Sequence, residues 1–247
     1  MEREIVATKL RLTRFSVPLL GVALALLALA MPNVQPSTAE IMPAAMIFET
    51  TRSANQADLW AARWVLEQRF AAYRFQNNAQ PALAVQGNQL AVSLPPGVEA
   101  SVVIAETSRV GQVEIVDGGT EFLSVGSRVK TGPGAIPAQE VYQAVLTSAD
   151  FEAAEARLSD KGRPIIKFIL TAAGDARLAA HTAERRGYYL CLTIDGQVIN
   201  CPILRTPLTE HRGIIELAGN ATFDDAHMLA MLINSGPLPV LFNRADD

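Results

Sequence analysis

The sequence is poor in the side chains that most often carry chemistry. Its 247 residues include two cysteines and three histidines, and aromatic residues make up 6% of the chain. His181, His211 and His227 have no spacing typical of a metal site, and no serine or cysteine lies in a nucleophile elbow. No glycine-rich loop suited to phosphate is present either. We therefore predict no enzyme activity, no metal and no cofactor.

An excess of basic residues is also absent. Lysine and arginine number 21 against 25 aspartate and glutamate residues, which gives a formal net charge of −4. A protein that binds nucleic acid normally presents a basic face, so we predict no nucleic-acid partner. Because the chain is 49% hydrophobic, its composition also excludes a disordered protein.

Only one long apolar run is present, at residues 15–31. It contains no charged residue, basic residues precede it, and none follows before Arg52. This asymmetry predicts that residues 1–14 are cytoplasmic and that the rest of the chain lies outside the cytoplasm. The length of the run fits either a short membrane anchor or a long signal peptide. A single-pass membrane protein and a secreted protein therefore both stay open.

Proline and small residues at 32–44 predict an extended stalk, and a repeated order of elements follows it. In residues 45–117 we predict strands and helices in the order βαββαβ, with a turn at Gly87-Asn88. The predicted ranges are strand 46–49, helix 56–75, strands 82–86 and 89–94, helix 98–109 and strand 112–117.

The same order recurs in residues 161–247, around a turn at Asp195-Gly196. The predicted ranges are strand 165–170, helix 172–185, strands 188–194 and 197–204, a further strand 214–218, helix 223–234 and strand 238–242. Two ferredoxin-like βαββαβ units, preceded by one membrane helix, give an α+β fold. Glycine and proline between the halves predict a loop-rich connector at 118–160, with strands near 142–146 and 155–159.

Cys191 and Cys201 flank the Asp195-Gly196 turn in a compartment that should be oxidising. In a two-residue loop, Ile194 faces Gln197 and Cys201 lies on the opposite side of the sheet from Cys191. In a three-residue bulged loop, Cys191 faces Cys201. A disulfide and two small buried residues are thus both compatible with the sequence.

The segment 188–240 resembles the end of the large extracytoplasmic domain of SecD, an accessory subunit of the bacterial Sec export machinery. The residues that match the family pattern are Ile194, Asp195, Gly196, Val198, Pro202, Ile203, Gly219, Thr222, Phe223, Ala226, Leu229, Ala230, Leu232, Gly236, Leu238 and Pro239. Residues of the first half resemble the family more weakly.

The resemblance implies a retained membrane helix and a non-catalytic domain that binds unfolded polypeptide or Sec translocase subunits. Family members carry a mobile head subdomain between the two halves, and here only 118–160 is left for it, so we expect a reduced head. The family's glycine-rich segment after the first helix is missing, and no further apolar run follows residue 31. These departures speak against a proton-driven motor.

Two other interpretations stay open. The domain could serve as a structural or adaptor module of the envelope that makes protein–protein contacts alone. The βαββαβ order is also used by acylphosphatase-like enzymes, in which Arg205, Arg212 and Asn220 would hold phosphate. The acidic residues before His227 are explained by the dipole of the predicted helix, without a metal.

Overall fold

The structure is a computed structural model that describes residues 45–50, 54–73, 75, 79–132, 141–217 and 219–244. All of these residues belong to one compact unit, Ile41–Asp247. The predicted cytoplasmic segment, membrane segment and stalk, at 1–14, 15–31 and 32–44, lie outside the described residues. Within the described ranges, no helix has the length and apolar character needed to cross a bilayer.

Four helices and thirteen strands make up the described part of the chain, which confirms the α+β class. The helices are α1 (Gln56–Ala72), α2 (Ala100–Ser108), α3 (Ala172–Thr182) and α4 (Phe223–Ser235). The strands are β1 (Ala45–Thr50), β2 (Ala82–Gln86), β3 (Gln89–Ser93), β4 (Val113–Gly119), β5 (Lys130–Thr131), β6 (Val141–Tyr142), β7 (Ala144–Thr147), β8 (Phe151–Leu158), β9 (Pro164–Leu170), β10 (Tyr189–Ile194), β11 (Gln197–Asn200), β12 (Arg212–Glu216) and β13 (Phe242–Arg244).

The first sheet is antiparallel and has the order β13-β1-β3-β2. Alternate residues of β1, Met46 and Phe48, enter a core that α1 and α2 share. Helix α1 begins at Asn55, whose side-chain oxygen accepts a hydrogen bond from the Asp58 N–H at 2.9 Å. The Asp58 carboxylate accepts from the Asn55 N–H in return, so the first turn is capped on both sides.

The prediction that each half closes its own sheet is wrong. Strand β4, predicted to complete the first unit, pairs with β10 and β7 in a second sheet of order β11-β10-β4-β7. All seven residues of β4 are buried, which suits a central strand covered on both faces. The place beside β1 is taken by β13, whose Phe242 enters the first core. The predicted strand 238–242 accordingly shifts to β13.

The second predicted unit is also divided between sheets. Strand β9 lies between β8 and β12 in a three-stranded sheet, whereas β10 belongs to the second sheet. Helix α4 packs on β8 and β9, and its Leu229 and Leu232 share one apolar core with residues of β4 and β10. Thr222 caps this helix in a box with Asp225, and Gly236 ends it with a φ of 71°.

The segment 118–160 contains more regular structure than a connector of loops. It includes β5, β6, β7 and β8, and the last two correspond to the strands predicted near 142–146 and 155–159. A 3-10 turn at Ser148–Asp150 separates them. Strand β8 therefore contributes to the sheet on which α4 packs.

Candidate functional site

The Asp195-Gly196 turn joins β10 to β11 through two residues in the left-handed region. The φ angles are 51° for Asp195 and 74° for Gly196, and Ile194 pairs with Gln197. Left-handed φ at both central positions is typical of a type I′ hairpin turn. The loop is therefore the shorter of the two that the sequence allows.

A bulge then restores the register that the longer loop would have given. Thr193 pairs with Val198, but Leu192 pairs with Asn200, so one residue of β11 is left unpaired between them. One residue further along, Cys191 and Cys201 face each other with 3.9 Å between their Cα atoms, and their sulfurs are joined. The structure therefore combines the two predicted arrangements: the turn has two residues, but a bulge within β11 places Cys191 opposite Cys201.

The tip of this hairpin is enclosed by other segments. The Asp195 carboxylate accepts a hydrogen bond from the Gln112 N–H at 2.8 Å and one from Arg109 Nε at 3.3 Å. The Gly196 carbonyl accepts from the Val129 N–H at 2.8 Å. These contacts bind the Asp195 carboxylate and the Gly196 carbonyl to neighbouring segments, so the turn serves to position the hairpin.

An apolar groove lies on the outer face of the sheet β12-β9-β8. Its volume is about 720 Å³, and residues of all three strands line it. On this face Ile214 is 60% exposed and Ile169 is 41% exposed. The inner face of the same sheet is buried against α4. The sheet thus has one face in the core and a second, partly apolar face in solvent.

Charged side chains of both signs surround the two isoleucines. Lys167 and Arg212 lie on β9 and β12, and Glu155 and Glu210 complete the lining. A groove that combines exposed isoleucines with charged side chains of both signs is suited to a peptide, whose side chains alternate in character and whose backbone is polar.

The edges of this sheet differ in accessibility. At β8, the Asn234 side chain donates to the Ala154 carbonyl at 2.9 Å and accepts from the Ala154 N–H at 2.7 Å. These two bonds satisfy the backbone N–H and carbonyl of Ala154 as a neighbouring strand would. At the other edge, β12 is the outer strand, and the Asn200 side chain donates to the carbonyl of its last residue, Glu216. Among the described residues, no further strand pairs with β12, which therefore forms the more open edge beside the groove.

A buried charge cluster stands apart from the groove, between β4 and α3. Asp117 is 1% exposed and accepts a hydrogen bond from Arg185 Nη1 at 2.7 Å. His181 Nε2 lies 3.2 Å from the same carboxylate oxygen. Burial lowers the pKa of His181, the positive charge of Arg185 lowers it further, and Asp117 opposes both. The cluster holds α3 against the second sheet.

A second buried charge joins α1 to the end of α4. The Arg69 guanidinium is fully buried and donates to the carbonyls of Arg109, Val110 and Gly236 at 2.8 to 2.9 Å, and to Ser235 Oγ at 3.2 Å. Burial lowers the pKa of Arg69 to about 10, so the side chain stays charged at neutral pH. Because neutral carbonyls satisfy its donors, the role of Arg69 is structural.

The residues considered for chemistry are not assembled into a site. Within the described ranges, no group of three potential metal ligands is present. His227 Nε2 lies 3.0 Å from the Ala72 carbonyl. The residues of the acylphosphatase interpretation fall on three segments: Arg205 in the loop before β12, Arg212 on β12 and Asn220 in the turn before α4. This arrangement gives no support to that activity.

Sequence reasoning did not find the groove. The available signal was β9, whose sequence PIIKFIL has isoleucine on both faces of the strand where a half-exposed strand would have polar residues on one. The neighbour β12, with the sequence RGIIE, places Ile214 on the same outer face. The pairing of these strands was needed before the two isoleucines could be recognised as one surface.

Comparison with known proteins shows what this region is similar to. Residues 128–240 match the model of the "SecDF, P1 head subdomain". The chain is 26% identical over 206 residues to the protein translocase subunit SecDF of Thermus thermophilus, an alignment that covers 76% of this chain and 27% of that protein. It is 31% identical over 101 residues to SecD of Dictyoglomus turgidum, covering 41% of this chain and 25% of the relative.

The fold agrees with a solved SecDF structure. A structure described as a membrane component SecDF that enhances protein export superposes with a TM-score of 0.63 at 24% identity, covering 82% of this chain and 98% of the other. The chain spans about a quarter of the length of the curated relatives. The family match, at 128–240, extends beyond the connector predicted at 118–160. The chain is thus similar, at distant identity, to SecD and SecDF, and residues 128–240 resemble the SecDF P1 head subdomain.

Proposed function

We propose that this protein is a non-catalytic, SecD-like domain that binds unfolded polypeptide outside the cytoplasm and assists protein export. The proposal is supported above all by one coincidence: the open edge of β12 and its groove fall inside the range that matches the P1 head. The relatives are named as protein translocase subunits, which supplies the export context.

The chemistry of the groove suits an extended chain with little sequence specificity. A peptide that adds to β12 would form main-chain hydrogen bonds, which every sequence can provide. Its apolar side chains on the outer face would lie next to Ile214, and Lys167 lies beside Ile214 on the central strand β9. An export factor has to accept many substrates, and backbone pairing combined with exposed isoleucines meets that need.

Attachment to the membrane through residues 15–31 is part of the proposal. The uncharged run and the basic residues before it support a retained anchor with the folded domain outside the cytoplasm. Carbonate extraction of membranes tests this, because an anchored protein stays in the pellet with its own N-terminus. A mature product that begins after residue 31 and is released by carbonate would contradict the anchor.

The binding surface is tested by photo-crosslinking from position 214. A photoreactive phenylalanine derivative at Ile214 should label a stalled export substrate. The matched control is the same residue at Ile203, which is 42% exposed but lies outside the groove. Labelling of the stalled substrate from both positions, or from neither, would contradict the proposed surface. Labelling of a folded envelope protein from Ile214 would instead favour the adaptor interpretation.

A further inference from the structure

The outer face of α1 carries both tryptophans of the chain. Trp60 is 52% exposed and Trp64 is 56% exposed, one helical turn apart. The opposite face is buried in the first core, where Leu59, Leu66 and Phe70 are each at most 1% exposed. The two indoles therefore lie outside the core and do not contribute to it.

The exposed stripe of α1 has no charged residue. Its exposed positions are Gln56, Ala57, Trp60, Ala61, Trp64, Gln68 and Ala71. A helix that faces water normally carries charged side chains along its outer face. The charges of this helix are displaced to its flanks, where Arg63 and Glu67 are half-buried and hydrogen-bonded at 2.7 Å. An uncharged, partly aromatic stripe of this kind is typical of a surface that contacts a partner rather than water.

The position of Trp60 is fixed by its neighbour. The Arg63 guanidinium lies over the Trp60 ring, 5.1 Å from its centroid, and Glu67 holds that guanidinium in turn. A cation above an indole stabilises the ring on one face and leaves the other face and the edge available. The apolar surface is thus presented in an ordered form, which lowers the entropy cost of covering it.

The side chains in the stripe favour a lipid surface as the covering partner. Tryptophan combines a large apolar ring with a polar N–H, and it is enriched at the level of lipid headgroups. The stripe contains no leucine, isoleucine or phenylalanine, so it is not built for deep insertion. The chain also supplies the means to reach a bilayer. The stretch 32–44 extends at most about 45 Å, which limits how far β1 can lie from the apolar run at 15–31.

We propose that the outer face of α1 rests on the membrane surface, with Trp60 and Trp64 in the headgroup region. This inference rests on the anchor of the proposed function and adds a second point of attachment. A domain held at two points has a restricted orientation relative to the bilayer, in contrast to one that swings on a stalk. The polypeptide-binding edge of β12 would then face a constant direction.

Intrinsic fluorescence tests this surface directly, because the chain contains no other tryptophan. The full chain is reconstituted in vesicles of phosphatidylcholine and phosphatidylglycerol, with and without acyl chains brominated near the headgroup. We expect blue-shifted emission and a clear loss of fluorescence in brominated vesicles. Trp60→Phe and Trp64→Phe each leave one reporter, and both single variants should be quenched.

The control moves the reporter away from α1. The triple variant Trp60→Phe, Trp64→Phe, Leu158→Trp places the tryptophan at a position that is 58% exposed on β8. Its fluorescence should be insensitive to brominated lipid and accessible to acrylamide in solution. Similar quenching of this variant would show that contact with lipid is not specific to α1.

Other results would overturn the inference. Tryptophans that are shielded from acrylamide but not quenched by brominated lipid would be covered by protein, either a second copy of the chain or another subunit. Tryptophans accessible to acrylamide would be uncovered. Flotation of the same vesicles separates the anchor from the surface: a chain that floats without quenching keeps the anchor and refutes the membrane-facing α1. A chain that neither floats nor is quenched refutes both.

Discussion

Two hairpins in this molecule each have a two-residue turn with one glycine at positive φ, but their surroundings are very different. The turn of β2–β3 is Gly87-Asn88, with a φ of 62° at Gly87, and the turn of β10–β11 is Asp195-Gly196, with a φ of 74° at Gly196. A Cβ atom on Gly87 would meet nothing within 4 Å, whereas one on Gly196 would lie 2.8 Å from the Val129 carbonyl oxygen. Both glycines have a positive φ but occupy different positions of their turns, and a close tertiary neighbour is present only at Gly196.

The difference shows what the tertiary structure adds to a turn. At Gly87 an added Cβ meets no neighbour, so the cost of a larger side chain there comes from the positive φ. At the second, the Asp195 carboxylate also holds Gln112 and Arg109, and a disulfide-bonded pair lies further along the strands. The second hairpin should therefore contribute more to global stability, although both turns have similar local sequence signals.

The largest expected effect comes from Gly196→Val. A β-branched residue at positive φ costs about 1–3 kcal/mol, and overlap with the Val129 carbonyl adds about 1–3 kcal/mol. Gly87→Val has the first cost only, so its loss of stability should be clearly smaller. Denaturant unfolding of the two variants measures the difference. Equal losses of unfolding free energy would mean that the contact with Val129 does not contribute to the effect of Gly196→Val.

Gly126 lies in the segment that the sequence predicts as a loop-rich connector, where Gly126→Val would be expected to have little effect on stability. The structure gives Gly126 a φ of 87°, and its N–H donates to the Val198 carbonyl at 2.8 Å. Gly126 therefore belongs to the segment that encloses the second hairpin, and we expect Gly126→Val to be destabilising as well.

The next effect concerns the cysteines, which we expect to be oxidised outside the cytoplasm. A disulfide that closes a short loop typically stabilises a domain by about 2–4 kcal/mol. Reduction should lower the free energy of unfolding by an amount in this range, and the double variant Cys191→Ala, Cys201→Ala should lose its response to reductant. Thiol labelling of the unfolded protein without reductant would show that the bond had not formed.

A smaller effect is expected for Asp195→Asn. Asparagine tolerates positive φ, so the turn is kept, while the charge that pairs with Arg109 is lost. Hydrogen bonds to charged groups contribute about 1.5–3 kcal/mol when buried, and Asp195 is partly exposed, so we expect about 1 kcal/mol. The control Asn88→Ala changes the exposed residue of the first turn and should stay within about 0.5 kcal/mol. A larger loss of stability for Asn88→Ala than for Asp195→Asn would mean that the first turn contributes more to stability than the second.

The parts of the fold that the sequence predicts are the local ones. The bounds of β2 are as predicted, and α4 differs by one residue, because alternating burial, capping residues and glycine turns act within a few neighbours. The partner of a strand is not a local property. Strand β13 has three residues, and nothing in its sequence distinguishes pairing with β1 from pairing within its own half.

The candidate surfaces were beyond sequence reasoning for the same reason. Ile169 and Ile214 form one groove only because β9 pairs with β12, and the bulge that aligns the cysteines depends on how β11 packs. The tryptophans of α1 had a local signal, since Trp60 and Trp64 are one turn apart on the face opposite Leu59. Aromatic residues at that spacing normally indicate a core, so the exposed face became evident only with the packing of α1.

The smallest expected effect is a pH dependence of the free energy of unfolding that comes from His181, beside the sheet of the second hairpin. His181 is 11% exposed at its side chain, beside Asp117 and Arg185, and burial lowers its pKa below the usual value of about 6.5. The unfolded chain then binds a proton at a higher pH than the folded protein does. His181 should therefore contribute no pH dependence to stability above about pH 7 and should lower stability as the pH falls below about 6.5.

His181→Asn should remove part of this decrease, whereas His211→Asn, at an exposed loop position, should retain it. Chemical denaturation at pH 7.5 and pH 5.5 measures the slopes, and equal slopes for both variants would exclude His181 as the group responsible.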